Sequence, residues 1–166
     1  IHEIDRLDAQ RMLTARLASN RFATSVPRTK DYLNWRFVEH PTIEYPRYII
    51  TSGSSELSGY MILKVYTKGD EIKGHIVDML SVDDERTVKS LLNSAYDYFI
   101  EKGIGNLSCW MPESCFCTRI LKEEGFVSKE FDVNFGVRTF EKADESLRSV
   151  EQLDSWHLTM SDLDVF

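Results

Sequence analysis

The 166-residue chain lacks the features of membrane-spanning, fibrous and low-complexity proteins. Charged residues interrupt every apolar stretch, so no run approaches the roughly 18 residues of a membrane-spanning helix. Only 8 glycines and 4 prolines are present, which excludes collagen-like and disordered classes. No basic-then-apolar leader follows Ile1. Because there is no initiator methionine, we expect the chain to be a fragment of a longer protein.

Cysteine is also scarce. Cys109, Cys115 and Cys117 are odd in number, and none of the four histidines lies near them in sequence. This pattern predicts free, buried thiols in a reducing cytoplasm and no metal site. A cysteine nucleophile that meets a histidine only in the folded structure stays open as an alternative.

Positive charge is in the minority, with 20 basic and 27 acidic residues and a net charge of −7. Residues 1–50 carry a small positive excess, and residues 51–166 carry all of the negative excess. An acidic domain repels phosphate backbones, so we expect no nucleic-acid partner. A small cationic ligand such as an amine, or a basic partner, suits this field better, and no membrane partner is expected.

The amino-terminal half of the chain predicts two helices followed by a meander of strands. Apolar spacing predicts the first helix over 3–19, and Thr29 is placed to cap a second over 30–39, before Pro41. Segments 47–51, 57–66 and 72–82 are rich in β-branched and aromatic residues. The short polar turns SGSSE and TKGDE separate them, so an antiparallel meander is predicted.

The clearest helix signal covers 84–102. Apolar and aromatic residues recur there at helical spacing: Val88, Leu91, Leu92, Ala95, Tyr96, Phe99 and Ile100. Gly103 is placed to end this helix, and 106–111 reads as a strand parallel to 72–82 through a right-handed crossover. A short helix over 114–124, a long strand over 126–140 and an acidic, mostly irregular end complete the prediction.

The predicted fold class is therefore α/β, with a mixed, mostly antiparallel central sheet and one parallel βαβ unit flanked by helices. We expect one domain over 1–166. Its N-terminal helices occupy 1–44, the sheet and ligand cleft occupy 45–140, and an acidic segment occupies 141–166. Open α/β sheets bind ligands where the carboxyl ends of parallel strands diverge, beside a helix amino terminus. That position lies here between 72–82 and 105–111.

Several segments resemble the GNAT superfamily of acyl-CoA N-acyltransferases over about 45–140. The strand IVDMLSV precedes the long helix, and RILKEEGFV ends the short one. The family pattern N-x-x-A-x-x-L-Y-x-x-x-G-F is matched in spacing from Ser114 onward, with Gly125 and Phe126 retained. The segments DYLNWRF and WHLTMSDLD are similar to a branch in which such a domain follows another GNAT-like half, which would then be a partner in the same chain.

The resemblance implies acetyl-CoA or another acyl-CoA as co-substrate. The residues that it assigns to this ligand lie on the strand, the helix start and the short helix: Leu80, Ser81, Val82, Arg86, Thr87, Val88 and Ser114. The family loop Q/R-x-x-G-x-G/A is replaced here by VDDERTV, which has no glycine and three carboxylates. The alternative, which the three carboxylates favour, is that these acids cap the helix.

For catalysis, the resemblance points to Asp78, since family members often carry an acidic base on this strand. A buried carboxylate paired with a helical arginine or with backbone amides is the structural alternative. Leu121 stands where the family often has a tyrosine that protonates the departing thiolate. His75, at the start of the strand, is expected to be exposed.

For the acceptor, the resemblance points to the first helices and to the end of the second parallel strand: Tyr32, Trp35, Arg36 and Trp110. The alternative is that Trp35, Trp110 and Trp156 anchor the core or its edge. Asp162 and Asp164 are predicted to lie in a solvated tail, although they could bind a cation.

Two functions follow, and the sequence leaves the choice open. The first is transfer of an acetyl or other acyl group from acyl-CoA to an amine. The alternative is a degenerate, non-catalytic GNAT fold that binds or supports another domain.

Overall fold

A computed structural model describes residues 1–5, 24–53, 56–130, 136–140 and 149–163. Within these ranges the strands are β1 (His2–Glu3), β2 (Thr24–Ser25), β3 (Arg47–Thr51), β4 (Leu57–Lys68), β5 (Glu71–Ser81), β6 (Leu107–Cys109) and β7 (Trp156–His157). The α-helices are α1 (Lys30–Phe37), α2 (Glu85–Glu101) and α3 (Phe116–Glu123). Short 3-10 helices span Leu153–Ser155 and Met160–Asp162.

The central sheet has the order β1-β3-β4-β5-β6. β3, β4 and β5 form the predicted antiparallel meander, and β1 adds an antiparallel edge. β6 is parallel to β5, as the βαβ prediction requires. A separate pair joins β2 to β7 in parallel. The predicted mixed, mostly antiparallel sheet is confirmed.

One face of the sheet is covered by α2 and α3. The apolar stripe of α2 is buried through Val88, Leu91 and Leu92, which pack against Met61 and Ile76 of the sheet. Full burial of each large apolar side chain contributes about 1.5–3 kcal/mol, so this stripe fixes the helix on the sheet. Left-handed glycines follow both helices, where a side chain would strain the backbone.

The opposite face is covered by α1 and by the carboxyl-terminal segment. Thr29 caps α1 and accepts a hydrogen bond from the Tyr32 amide at 3.2 Å. Leu33 and Phe37 of α1 pack in a second cluster of buried residues with Tyr60 and other side chains of this face. The prediction of this helix and of its cap is confirmed.

A β-bulge interrupts the pairing of β4 with β5. Ile62 pairs with Asp78 and Leu63 pairs with Ile76, which leaves Val77 as the extra residue. Val77 and Leu80 belong to the cluster beneath α1, whereas Ile76 and Met79 belong to the cluster beneath α2. The bulge therefore turns the side chains of both Val77 and Asp78 toward the α1 face.

Three sequence predictions about the chain ends need correction. Residues 126–130 and 136–140 form no strand, while 131–135 lie outside the described residues. Residues 2–3 form β1 rather than helix, and most of the predicted helix over 3–19 also lies outside the described residues. The acidic end is not merely irregular, because it supplies β7 and packs on β5 through the 3-10 helix Met160–Asp162. Among the helices that the structure describes, none has the length and apolar character needed to cross a membrane.

Candidate functional site

The candidate site begins where β5 and β6 separate. The two strands pair only from Gly74 with Leu107 to Ile76 with Cys109. β5 continues to Ser81, and no described strand pairs with it on that side beyond Ile76. The predicted parallel pairing is confirmed, and β5 extends beyond it because β6 ends at Cys109.

The backbone of β5 presents polar groups to this open edge. The amide of Val82 donates to the Ser58 carbonyl of the β4 side at 2.8 Å. Because strand residues alternate in the direction of their backbone groups, Asp78 and Leu80 also face β4, and Met79 and Ser81 face the open edge. The backbone N–H and C=O groups of Met79 and Ser81 therefore point to this edge, at the spacing that they have along any extended strand. An extended ligand that carries amides of its own fits this edge.

The amino terminus of α2, by contrast, already carries an anion. Asp84 accepts hydrogen bonds from the Thr87 hydroxyl at 2.6 Å and from the Thr87 amide at 2.8 Å. These bonds hold the pKa of Asp84 below its ordinary value. The adjacent Glu85 pairs with Lys89 at 2.8 Å. The carboxylates occupy the positive end of the helix dipole, which is where a helix otherwise binds a pyrophosphate.

A shallow depression of about 550 Å³ borders these first turns of α2 and is lined by Asp84, Glu85, Arg86, Lys89, Ser90 and Asn93. None of its lining residues belongs to β5. The candidate site is therefore placed at the strand edge by the sheet geometry, and the depression marks only the neighbouring helix surface.

The residues that the sequence assigned to the ligand lie at one end of the sheet, and their side chains differ in exposure. Leu80, Ser81 and Thr87 are buried, and Val88 lies in the core beneath α2. Val82 is 37% exposed, and the side chains of Arg86 and Ser114 are also exposed. Ser81 Oγ lies 3.6 Å from Cys117 Sγ, which places the first turn of α3 beside the end of β5.

Asp78 is fully buried on the α1 side of β5. Its carboxylate accepts hydrogen bonds from the Tyr60 hydroxyl and the Thr159 hydroxyl, each at 2.9 Å. Arg28 Nε lies 3.4 Å from the same carboxylate. Burial, followed by the charge of Asp78, raises the pKa of Tyr60 well above its ordinary value.

Arg28 extends this network to the carboxyl-terminal segment. Its guanidinium lies 2.6 Å from Asp162 Oδ2, 3.2 Å from the Thr159 hydroxyl and 3.2 Å from the Ser161 hydroxyl. Burial disfavours the charge of Arg28, but Asp78 and Asp162 outweigh it and hold the pKa of Arg28 above its ordinary value. The Asp162 side chain is 6% exposed, so the prediction of a solvated tail is wrong for this residue. Asp164 lies outside the described residues.

Sequence reasoning did not identify Arg28, Thr159 or Asp162 as members of the network around Asp78. A local signal was present, because Thr159 and Asp162 have the spacing of a capping box, which the structure contains. Nothing local pointed to Arg28, since it lies 50 residues from Asp78 and 134 from Asp162.

The proposed acceptor residues on α1 lie near this network. The Tyr32 and Trp35 rings are 6.1 Å apart, and Arg36 donates to the carbonyls of Ser161 and Leu163. Trp35 is 62% exposed, so its alternative role as a core anchor is wrong. Trp110 is half-buried and packs against the cluster beneath α1. Trp156, in β7, is also half-buried.

The cysteines, Leu121 and His75 lie in buried or partly buried positions. None of the three cysteines forms a disulfide, and burial, followed by the charge of Cys115, raises the pKa of Cys109 to about 12. Leu121 lies in the apolar core. His75 is 6% exposed and shares a 2.8 Å hydrogen bond with Ser108, so the prediction that it is exposed is wrong. Within the described ranges, no group of three or more metal-ligating residues is found.

Comparison with known proteins adds a structural likeness. No protein-family model matches the sequence, and no curated protein matches it. A Thermus thermophilus protein, TTHA1254, has a TM-score of 0.58 at 15% identity over 85% of this chain and 100% of its own. A Trypanosoma brucei acetyltransferase has a TM-score of 0.57 at 14% identity over 79% of this chain and 96% of its own.

An aminoglycoside N-acetyltransferase, AAC(6')-Iy, crystallised in complex with CoA, is also similar. Its TM-score is 0.51 at 11% identity, over 80% of this chain and 97% of its own. Identities this low show the fold alone. The chain has a GNAT-like fold, similar to that of acetyltransferase structures, which confirms the fold that the sequence resemblance implied.

Proposed function

We propose that the chain is a GNAT-type acyltransferase domain that moves an acetyl or other acyl group from acyl-CoA to an amine. The observation that carries this proposal is the open edge of β5 beyond Ile76. A mere packing module has no need of a strand that separates from its parallel neighbour and presents peptide groups there.

The pantetheine arm of acyl-CoA is extended and contains two amides, so it can pair with β5 as a further strand. In the proposal, the backbone groups of Met79 and Ser81 hold this arm, because those of Leu80 and Val82, which the sequence assigned to it, face β4 instead. The thioester then lies near the bulge at Val77, where the regular pairing of β5 changes register. Arg86 and Ser114 contribute at the phosphate end, and Arg86 partly offsets the acidic residues around it.

Acyl transfer requires that the attacking amine loses a proton. In the proposal, Asp78 is the final proton acceptor. Its carboxylate has no exposed surface, so the proton travels along the hydroxyls of Ser161 and Thr159, which are 2.9 Å apart. Since Leu121 has no proton to donate, solvent protonates the departing thiolate. Tyr32, Trp35, Arg36 and Trp110 border the space for the acceptor.

A second function is favoured by a different observation, the carboxylates at the start of α2. Asp84 caps the helix where a pyrophosphate would bind, and Glu85 adds charge. A GNAT-like module that lost its acyl-CoA site, and that supports another domain through packing, would tolerate this arrangement.

Titration with acetyl-CoA separates the two functions. If acetyl-CoA binds, a concentration 100 times its dissociation constant adds about 2.7 kcal/mol to the free energy of unfolding and raises the melting temperature.

The double variant Asp84→Asn and Glu85→Gln keeps a capping side chain and removes two charges, so it should bind acetyl-CoA at least threefold more tightly. The matched control, Asp97→Asn with Glu101→Gln, removes two exposed charges farther along α2 and should leave the affinity unchanged. No response at millimolar acetyl-CoA in either chain would support the packing module.

A further inference from the structure

A short carboxyl-terminal segment, residues 158–163, covers Asp78 on the α1 face, and we call it the strap. Its Thr159 donates to the Asp78 carboxylate at 2.9 Å, and its 3-10 helix Met160–Asp162 packs on β5. Asp78 has no exposed surface, and Ser161, at the outer end of the proposed proton path, is only 5% exposed. An acceptor amine therefore reaches neither group while the strap stays in place.

Charged and hydrogen-bonding groups hold the strap in place. The guanidinium of Arg28 lies 2.6 Å from Asp162 Oδ2, and Arg36 of α1 donates to two backbone carbonyls of the strap at 3.1 and 3.2 Å. Within the strap, Met160 alone belongs to the buried apolar cluster under α1. Buried ion pairs and hydrogen bonds give little net stability, because water solvates the same groups once they separate. The strap is therefore held less firmly than an element that buries an apolar stripe, such as α2.

The strap can leave β5 without breaking the central sheet. It follows β7, which pairs with β2 over two residues and with no described strand of the five-stranded sheet. Tyr60 and Arg28, two further partners of Asp78, lie outside the strap, so Asp78 keeps both after the strap leaves. Asp162 then enters solvent with the strap. Neither carboxylate is thus buried without a cation, and local opening avoids the large cost of an uncompensated charge.

We propose that the strap opens and closes over Asp78, so that the open state admits the acyl acceptor and the closed state completes the proton path. This inference rests on the proposed acyl transfer for the ligand that enters, but the opening itself requires no acyl-CoA. Thr159 and Ser161, whose hydroxyls form the path, both belong to the strap. The path to Asp78 is therefore broken in the open state and complete in the closed state, which is the state that the structure describes. Entry of the acceptor thus precedes proton transfer.

Thiol labelling of Ser161→Cys by iodoacetamide, without acyl-CoA, measures this opening. Peptide-resolved mass spectrometry separates the introduced thiol from the native Cys117, which is 2% exposed on the α2 face and serves as the internal reference. Below the unfolding transition, the introduced thiol should react at least tenfold faster than Cys117 and at a rate that barely changes with urea, because local opening exposes little surface. Labelling of Cys117 should instead rise steeply with urea. Amide hydrogen exchange of the unsubstituted chain makes the same comparison between the strap and β5.

Asp162→Asn tests the ion pair that closes the strap. Added to Ser161→Cys, it should speed labelling of the introduced thiol at least tenfold, and more than it speeds labelling of Cys117. The matched control, Asp154→Asn, removes an exposed carboxylate that precedes the strap and should leave both rates unchanged. Equal rates with equal urea dependence for the two thiols, or no effect of Asp162→Asn, overturns the inference even if acetyl-CoA binds. Opening of the strap in a chain that binds no acetyl-CoA would instead refute only the acyl transfer.

Discussion

The two faces of the central sheet are built on different principles. The face under α2 and α3 is mainly apolar, and the buried polar residues on it, such as Ser81 and Thr118, are uncharged. The face under α1 contains a buried arginine between two carboxylates and, farther along the same strands, a buried lysine. The apolar face stabilises the fold through burial of apolar side chains. The charged face buries ionised groups of the kind that bind ligands. Substitutions should therefore follow different rules on the two faces.

The largest effect is expected at Arg28. Arg28→Met keeps much of the side-chain volume but leaves Asp78 and Asp162 buried without a cation, so it should lower the free energy of unfolding by about 3–5 kcal/mol. Urea denaturation at pH 7 measures the difference. Adding Asp78→Asn to Arg28→Met should recover part of the loss, because one of the uncompensated charges is removed.

Arg47 provides the matched control. It is half-buried, and its guanidinium donates to backbone carbonyls, including those of Ile4 and Phe37. Arg47→Met removes hydrogen bonds but leaves no buried carboxylate without a cation, so it should cost about 1–3 kcal/mol. If Arg28→Met costs no more than Arg47→Met, the charged face does not depend on charge compensation.

The apolar face could be predicted from the sequence, and the charged face could not. The periodicity of α2 predicted a helix over 84–102, and the structure has Glu85–Glu101. Such periodicity is local, because neighbouring turns of one helix repeat it. The partners of Asp78 come instead from residues far away in the chain, and no repeat connects them. The predicted strand over 126–140 fails at its described ends, where alternation of apolar residues is not matched by a neighbouring strand.

On the apolar face, the expected cost follows lost volume rather than charge. Leu92 is fully buried beneath α2. Leu92→Ala should lower the free energy of unfolding by about 2–5 kcal/mol, because it removes apolar contacts and leaves a cavity. Leu92→Met, which conserves volume, should cost less than about 1.5 kcal/mol. Urea denaturation of both variants and of Arg28→Met shows whether a substitution that conserves side-chain volume is tolerated on the apolar face and not on the charged face. A Leu92→Met variant as unstable as Arg28→Met would remove the distinction.

The smallest effect expected is a dependence on pH that belongs to the charged face. Burial, and then Lys64 and Lys73, holds the pKa of folded His75 below the ordinary histidine value of about 6.5. As the pH falls through 6.5, the unfolded chain therefore binds a proton that the folded chain does not, and the free energy of unfolding decreases. The slope from this residue is at most about 1.4 kcal/mol for each pH unit. Denaturation in urea at pH 7.5 and 5.5 should show a smaller loss for His75→Asn than for the wild type. His2→Asn, at an exposed position, should behave as the wild type does. An equal loss in all three chains would mean that folding does not lower the pKa of His75.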